Sequence, residues 1–413
     1  MSSTPAGNKA FLRVESLEDR ITPAHFTRGL VAGAIPNDTS YSSQWAPAKV
    51  HAPAAWDVTT GSHKVVVASV DSGVDYTHPD LYQNIWLNQT EIPTNIRGGL
   101  SDTDSDGLIT FRDLNARNAD GTLKFGAFVG DGNGNGYIDA ADLLRPIASG
   151  GWEDGIDGSG VTNGFVDDLV GWDFVNDDNK PFDDYGHGTH TAGIIGATGN
   201  NSVGVAGIAW NVQIMVVKLI AANNTADIAD APLSITYAAQ NGARVSNASW
   251  GQSGLRPGDA LYQAIKSAGE LYGHIVVAAA MNNGINNDTH PYRPYPASYD
   301  LPNIIAVAAT DSADRLASWS NYGKVSVDLA APGVNIFSTL PDGKYGYASG
   351  TSMAAPFVTG TLALMLSRNS TLTAAQLKFY LLDAVDPVST LSKKIASGGR
   401  LNVNAAVLAV PLG

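Results

Sequence analysis

Four apolar runs punctuate the chain at wide intervals: Val65–Val70, Ile214–Val217, Ile275–Ala280 and Ile304–Val307. They are short, nearly unbroken and rich in β-branched residues. That is the pattern of strands covered on both faces, not of strands with one wet side. Between and beyond them, stretches at about 232–241, 259–272 and 353–367 carry helical spacing. Strands alternating with helices predict an α/β fold with a mostly parallel central sheet and helices on both faces. Reactive groups are then expected at strand C-termini and helix N-termini.

The segment from about residue 83 to 161 breaks this alternation and is rich in Gly, Asp and Asn. It reads as an acidic insertion within one domain spanning 37–413. Residues 1–36 carry no apolar h-region of an ordinary secretory signal and read as an N-terminal leader or pro-segment. Within them, Leu17–Ala24 is similar to a short motif near the N-termini of many exported bacterial proteins, and maturation is expected to trim the chain before Asn37.

At 44% hydrophobic and 15% charged residues, the 413-residue chain has enough apolar content for a sizeable core. It contains no cysteine, which excludes disulfides, thiolate metal sites and a Cys nucleophile. No apolar run approaches 18 residues, so no membrane span is expected. The net charge is −14, and residues 101–185 hold 18 acidic against five basic residues. Such a block argues against nucleic acid as a partner and calls for solvent or cations to offset its repulsion.

Three short segments carry candidate chemistry. They are Asp71-Ser72-Gly73, Gly186-His187-Gly188-Thr189-His190, and Gly350-Thr351-Ser352-Met353-Ala354-Ala355-Pro356. A carboxylate, an imidazole and a hydroxyl are the parts of an acyl-transfer centre, and Asp–His–Ser is one of its known chain orders. Asp71 ends an apolar run, and Asp75 is the bland alternative four residues on. Ser352 opens an apolar helical stretch, where a hydroxyl also serves as an ordinary cap. His187 and His190 share a helix face, but no third ligand at zinc spacing accompanies them.

Asp102, Asp104, Asp106, Gly107 and Asp113 take positions 1, 3, 5, 6 and 12 of a calcium-loop pattern. Asp131, Asn133, Asn135, Gly136 and Asp142 repeat it 29 residues later. The bland reading is a pair of Asx-turn loops. A third candidate, Asp157 to Asp168, is interrupted by Ser159–Thr162.

From about Asn37 to Val407 the chain resembles the subtilisin-like serine protease (subtilase) family, with loops similar to EF-hand or dockerin-type loops. The resemblance implies Ser352 as nucleophile, His187 as base, Asp71 as its partner and His190 as structural. Asn282, after the 275–280 run, takes the oxyanion role. Met281 stands where the family has Gly, and is expected to narrow the specificity pocket or to shift Asn282. Ser249, Trp250 and Gly251 match a segment that pairs with extended substrate, and Gly188 is expected to leave room for it. A core calcium site is implied at Asp38, Asp80 and Asn201, with carbonyls of Gly199, Val203 and Val205. Together these imply an exported, secreted or cell-surface, calcium-dependent serine endopeptidase acting on polypeptides as a monomer. Two other functions remain open. One is a calcium-dependent adhesion module on an inactive scaffold, with a protein partner at the insertion; the other is an esterase or peptide ligase.

Overall fold

A computed structural model describes residues 33–158 and 162–413. The expected leader falls, as far as residue 32, outside the described residues. In chain order the first strands are β1 (Gly61–Asp71), β2 (Gly171–Asp173), β3 (Asn211–Lys218), β4 (Val245–Ala248), β5 (Gln252–Ser253) and β6 (Ile275–Ala279). There follow β7 (Pro294–Tyr295), β8 (Ile304–Thr310), β9 (Leu329–Pro332), β10 (Ile336–Leu340), β11 (Lys344–Ala348), β12 (Asp386–Pro387) and β13 (Gly399–Arg400). Nine of them form one sheet in the order β12-β13-β9-β8-β6-β4-β1-β3-β2. Every pairing in it is parallel except β12 with β13.

The predicted runs became β1, β3, β6 and β8, all interior strands of the sheet, where both faces are covered. From β1, Val65 and Val67 join a core shared with the helices His187–Gly196 and Thr351–Arg368. Ala68 and Val70 face the other side, with the helices Asp230–Gln240 and Ala260–Tyr272. Burying one such large apolar side chain contributes about 1.5–3 kcal/mol, so the opposed helix pairs hold the sheet from both sides. β4 reads Val-Ser-Asn-Ala, which hides its strand character. Its polar groups are satisfied internally, Ser246 by His274 and Asn247 by Thr359 and Ser249.

The chain runs from β1 outward to β3 and then returns to β4 on β1's other flank. This places a topological switch at β1, where an open parallel sheet forms its crevice beyond the strand C-termini. Asp71, Ser249 and Met281 all lie at that edge.

The insertion is built onto the main core. Phe111, Leu114, Ile138, Leu143 and Trp152 are fully buried in the same cluster as β1. Each acidic loop ends in a four-residue helix, Phe111–Leu114 or Ala140–Leu143, opened by a capping box of Thr110 with Asp113 or Asp139 with Asp142. Ile109 is bonded on both sides by the Gln89 amide, and Ile138 by the Asn115 amide. Side-chain amides thus take the place of a strand between the loops. Among the described residues no helix is long and apolar enough to cross a membrane.

Candidate active site

β1 delivers Asp71 fully buried to the crevice. The helix His187–Gly196 starts beside it, and His187 Nδ1 lies 2.6 Å from Asp71 Oδ1. The close approach of helix and strand depends on Gly188: a Cβ there would meet the Gly73 carbonyl oxygen at 2.0 Å and the Asp71 Cβ at 3.2 Å. The expected room for substrate beside Gly188 is therefore not there, because backbone already fills that space. Burial opposes charge on His187, but the charge and hydrogen bond of Asp71, with the charge of Asp183, hold its pKa above the ordinary imidazole value. Asp75 plays no part at His187. Its carboxylate accepts from Thr77 and from the Asp342 amide. His190 is buried with Nε2 against the carbonyls of Ile336 and Gly346, a packing role that keeps it from the cleft.

Ser352 is the second residue of the helix Thr351–Arg368. Pro356 lies four residues on and has no N–H for the Ser352 carbonyl. Ser249 Oγ takes that carbonyl at 2.9 Å, and Ser352 Oγ donates back to the Ser249 carbonyl at 3.1 Å. This reciprocal pair ties the helix start to the end of β4. Ser352 and His187 line one cleft of about 440 Å³, together with Trp250, Gly251, Met281 and Asn282. No hydrogen bond joins Ser352 to His187; the hydroxyl is turned toward Ser249.

Asn282 follows β6. Its Oδ1 accepts from the Thr351 amide and hydroxyl, at 2.9 and 3.0 Å. That fixes the amide orientation and leaves Nδ2 as the free donor. Met281 has φ +80°, and its backbone is pinned by Thr351 Oγ1 on its N–H and by Asn321 on its carbonyl. The expected shift of Asn282 by Met281 finds no support in these contacts. Met281 Cγ and Sδ lie against Gly251, while Asn282 keeps its Thr351 bonds. Trp250 is anchored by Nε1 to the Val70 carbonyl at 3.0 Å.

One buried group escaped the sequence reading. Asp183 accepts from Ser72 Oγ, the amides of Tyr185, Gly186 and Thr189, and Thr189 Oγ1. Ser72 Oγ accepts in turn from the Gly188 amide. Asp183 thus joins the residue after Asp71 to the first turn of the His187 helix. A carboxylate four residues before His187 was the available signal.

Two groups of oxygens suit a hard cation. Asp38 and Asp80 are buried, and Asp38 Oδ1 has no partner. Burial, with the charge of Asp38 adding, pushes Asp80 up to about 7 against bonds from Val205 and Asn201. The carbonyls of Gly199, Val203 and Val205 accept no hydrogen bond among the described residues. Asn201 here turns its amide nitrogen to Asp80 and its oxygen to the Val203 amide.

In the first loop the carboxylates of Asp102, Asp104 and Asp113 offer oxygens within 4.8 Å of one another, and His63 forms a similar group with Asp104 and Asp106. In the second loop Asp131 and Asp142 hold loop amides, while Asn133 and Asn135 donate to Asp139. In the third stretch Asp157 accepts from Asn163 and Gly164, and Asp168 from Asn88, Asn163 and Tyr237.

The profile of the subtilase family matches residues 62–404, and the chain belongs to this family. It is 34% identical to thermitase of Thermoactinomyces vulgaris over 373 residues, 90% of this chain and 99% of that protein. It is 35% identical to a thermophilic serine proteinase of Bacillus sp. strain AK1, over 82% of this chain and 61% of that protein. Identity to subtilisin Savinase of Lederbergia lenta is also 35%, over 61% of this chain and 92% of that protein. By class the protein is a serine endopeptidase.

Proposed function

We propose that this chain is an exported, calcium-stabilised serine endopeptidase in which Ser352 attacks the scissile carbonyl. The observation that carries the reading is the 2.6 Å contact of Asp71 with His187 in the cleft that also holds Ser352 and Asn282. Attack requires the Ser352 hydroxyl to leave the Ser249 carbonyl and turn to His187 Nε2, a rotation about one side-chain bond. His187 takes the proton and later gives it to the leaving amine, while Asp71 fixes the tautomer and stabilises the imidazolium. The Nδ2 of Asn282 donates to the developing oxyanion, a contact worth about 10²–10³ in rate in comparable sites. Ser249, Trp250 and Gly251 form the wall along which an extended polypeptide lies.

Calcium fits Asp38 and Asp80 with the free carbonyls beside them, because a buried anionic pair with an unpartnered oxygen matches a hard cation. Asp102, Asp104, Asp106 and Asp113 are proposed as a second site, and Asp131, Asn133, Asn135 and Asp142 as a third. Bound calcium supplies folding stability by mass action. Export agrees with the leader-like residues 1–36.

A fluorophosphonate probe on the purified protein and on Ser352→Ala tests the catalytic reading. Labelling and peptide hydrolysis by the wild type alone are expected. Hydrolysis that survives in Ser352→Ala would refute the assignment.

A further inference from the structure

The cleft has a feature that bears on substrate choice, and it rests on Ser352 and Asn282 acting as proposed above. A scissile carbonyl must lie within reach of both Ser352 Oγ and Asn282 Nδ2. The side chain of the residue bearing that carbonyl then needs space beside them. β4 and β6 are paired through Ala248 and Ala278, and their continuations, Ser249–Gln252 and Met281–Asn282, form two walls next to Ser352. The space between these walls is occupied. A Cβ placed on Gly251 would fall 3.1 Å from Met281 Sδ and 3.2 Å from Met281 Cγ, with the Tyr295 carbonyl oxygen also at 3.2 Å. The thioether therefore spans the slot and rests on the one wall residue that has no side chain.

The backbone fixes this placement. Met281 holds φ +80°, a conformation that non-glycine residues rarely adopt, and its N–H and C=O are both bonded. With the backbone fixed on both sides, the side chain can leave the slot only by rotamer changes.

We propose that Met281 fills the slot for the residue on the acyl side of the scissile bond, so that the enzyme cleaves after Gly, Ala or Ser and rejects Phe, Tyr and Leu. Glycine adopts the observed φ freely, so Met281→Gly opens the slot without new strain. Met281→Leu keeps it filled.

The test is kcat/KM on peptide substrates that differ only in the residue before the cut, for the wild type and both variants, each also treated with the fluorophosphonate probe. For the wild type, preference for Ala over Phe is expected to reach about 100-fold, within the range a filled apolar pocket gives. In Met281→Gly, kcat/KM for Phe and Leu should rise at least 10-fold while that for Ala changes little, and Met281→Leu should keep the wild-type order. A wild type that labels and cleaves after Phe as readily as after Ala overturns the proposal. So does a labelled Met281→Gly with an unchanged profile. Absence of labelling in all three proteins overturns the acyl-transfer reading, and this inference with it.

Discussion

Asp183 shows how much of this site rests on a residue that touches no reacting atom. It is buried, meets five donors from Ser72 and from residues 185–189, and adds to the field that keeps His187 above its ordinary pKa. Asp183→Asn keeps the shape, removes the charge and turns an acceptor into a donor. kcat is expected to fall about 10- to 100-fold with KM little changed. Because His187 must be neutral to act as base, the acid limb of kcat/KM in the wild type should lie above 6.5 and move down in the variant. A pH–rate profile checks both points; an unmoved acid limb would leave Asp183 a purely structural residue. Asp71, His187, Ser352 and Asn282 were legible because each sits in a short, chemically explicit string. Asp183 and Ser72 were not, because their link to each other, and that of Ser72 to the Gly188 amide, join segments more than 100 residues apart.

The helix carrying Ser352 is fastened by an exchange legible in neither partner alone. Pro356 withholds an N–H from the Ser352 carbonyl, and Ser249 supplies a hydroxyl to it. Ser249→Ala should leave that buried carbonyl unpaired, at a cost of about 1–3 kcal/mol, and lower kcat as the helix start loosens. Pro356→Ala returns the missing donor. The double variant should therefore lose less stability than the sum of the two single changes, and urea unfolding of all four proteins measures the difference. Additivity within about 0.5 kcal/mol would sink the idea. At this scale the long apolar strands and the three main helices were readable from pattern alone. The two-residue strands β5, β7, β12 and β13 were not, since a pair that short has no period and forms only where the chain is already held.

Across the molecule, acidic charge and buried histidine set opposite demands. The acidic block at residues 101–185 was visible in composition, but its sparse cationic partners were not. Lys218 meets Asp173 and Asp184, Lys180 meets Glu153, and Arg145 meets Asp142; the proposed calcium sites would offset much of the remaining charge. Chelation at neutral pH is expected to lower Tm by several degrees. Added NaCl should restore only part of the loss, because salt screens exposed loops far better than the buried Asp38 and Asp80. Full recovery in NaCl would count against buried calcium.

The acid limit has a different source. His274 is fully buried, with Nδ1 against the Ala243 carbonyl at 2.6 Å and Nε2 against Ser246 Oγ at 2.9 Å. Burial, with the Arg244 charge adding, pushes its pKa down from 6.5 to about 4 despite the Ala243 bond. The unfolded chain thus binds a proton near pH 6.5 that the folded chain refuses until about pH 4. The stability held by neutral His274 is complete above about 6.5 and lost as pH falls between these values. About 1.4 kcal/mol per unit makes the whole effect about 3 kcal/mol. His274→Asn, which keeps polar groups for Ala243 and Ser246, should be less stable than the wild type at pH 8 and close much of that gap at pH 4.5. Denaturant unfolding with calcium held constant at the two pH values measures this; a gap equal at both would place the acid sensitivity elsewhere.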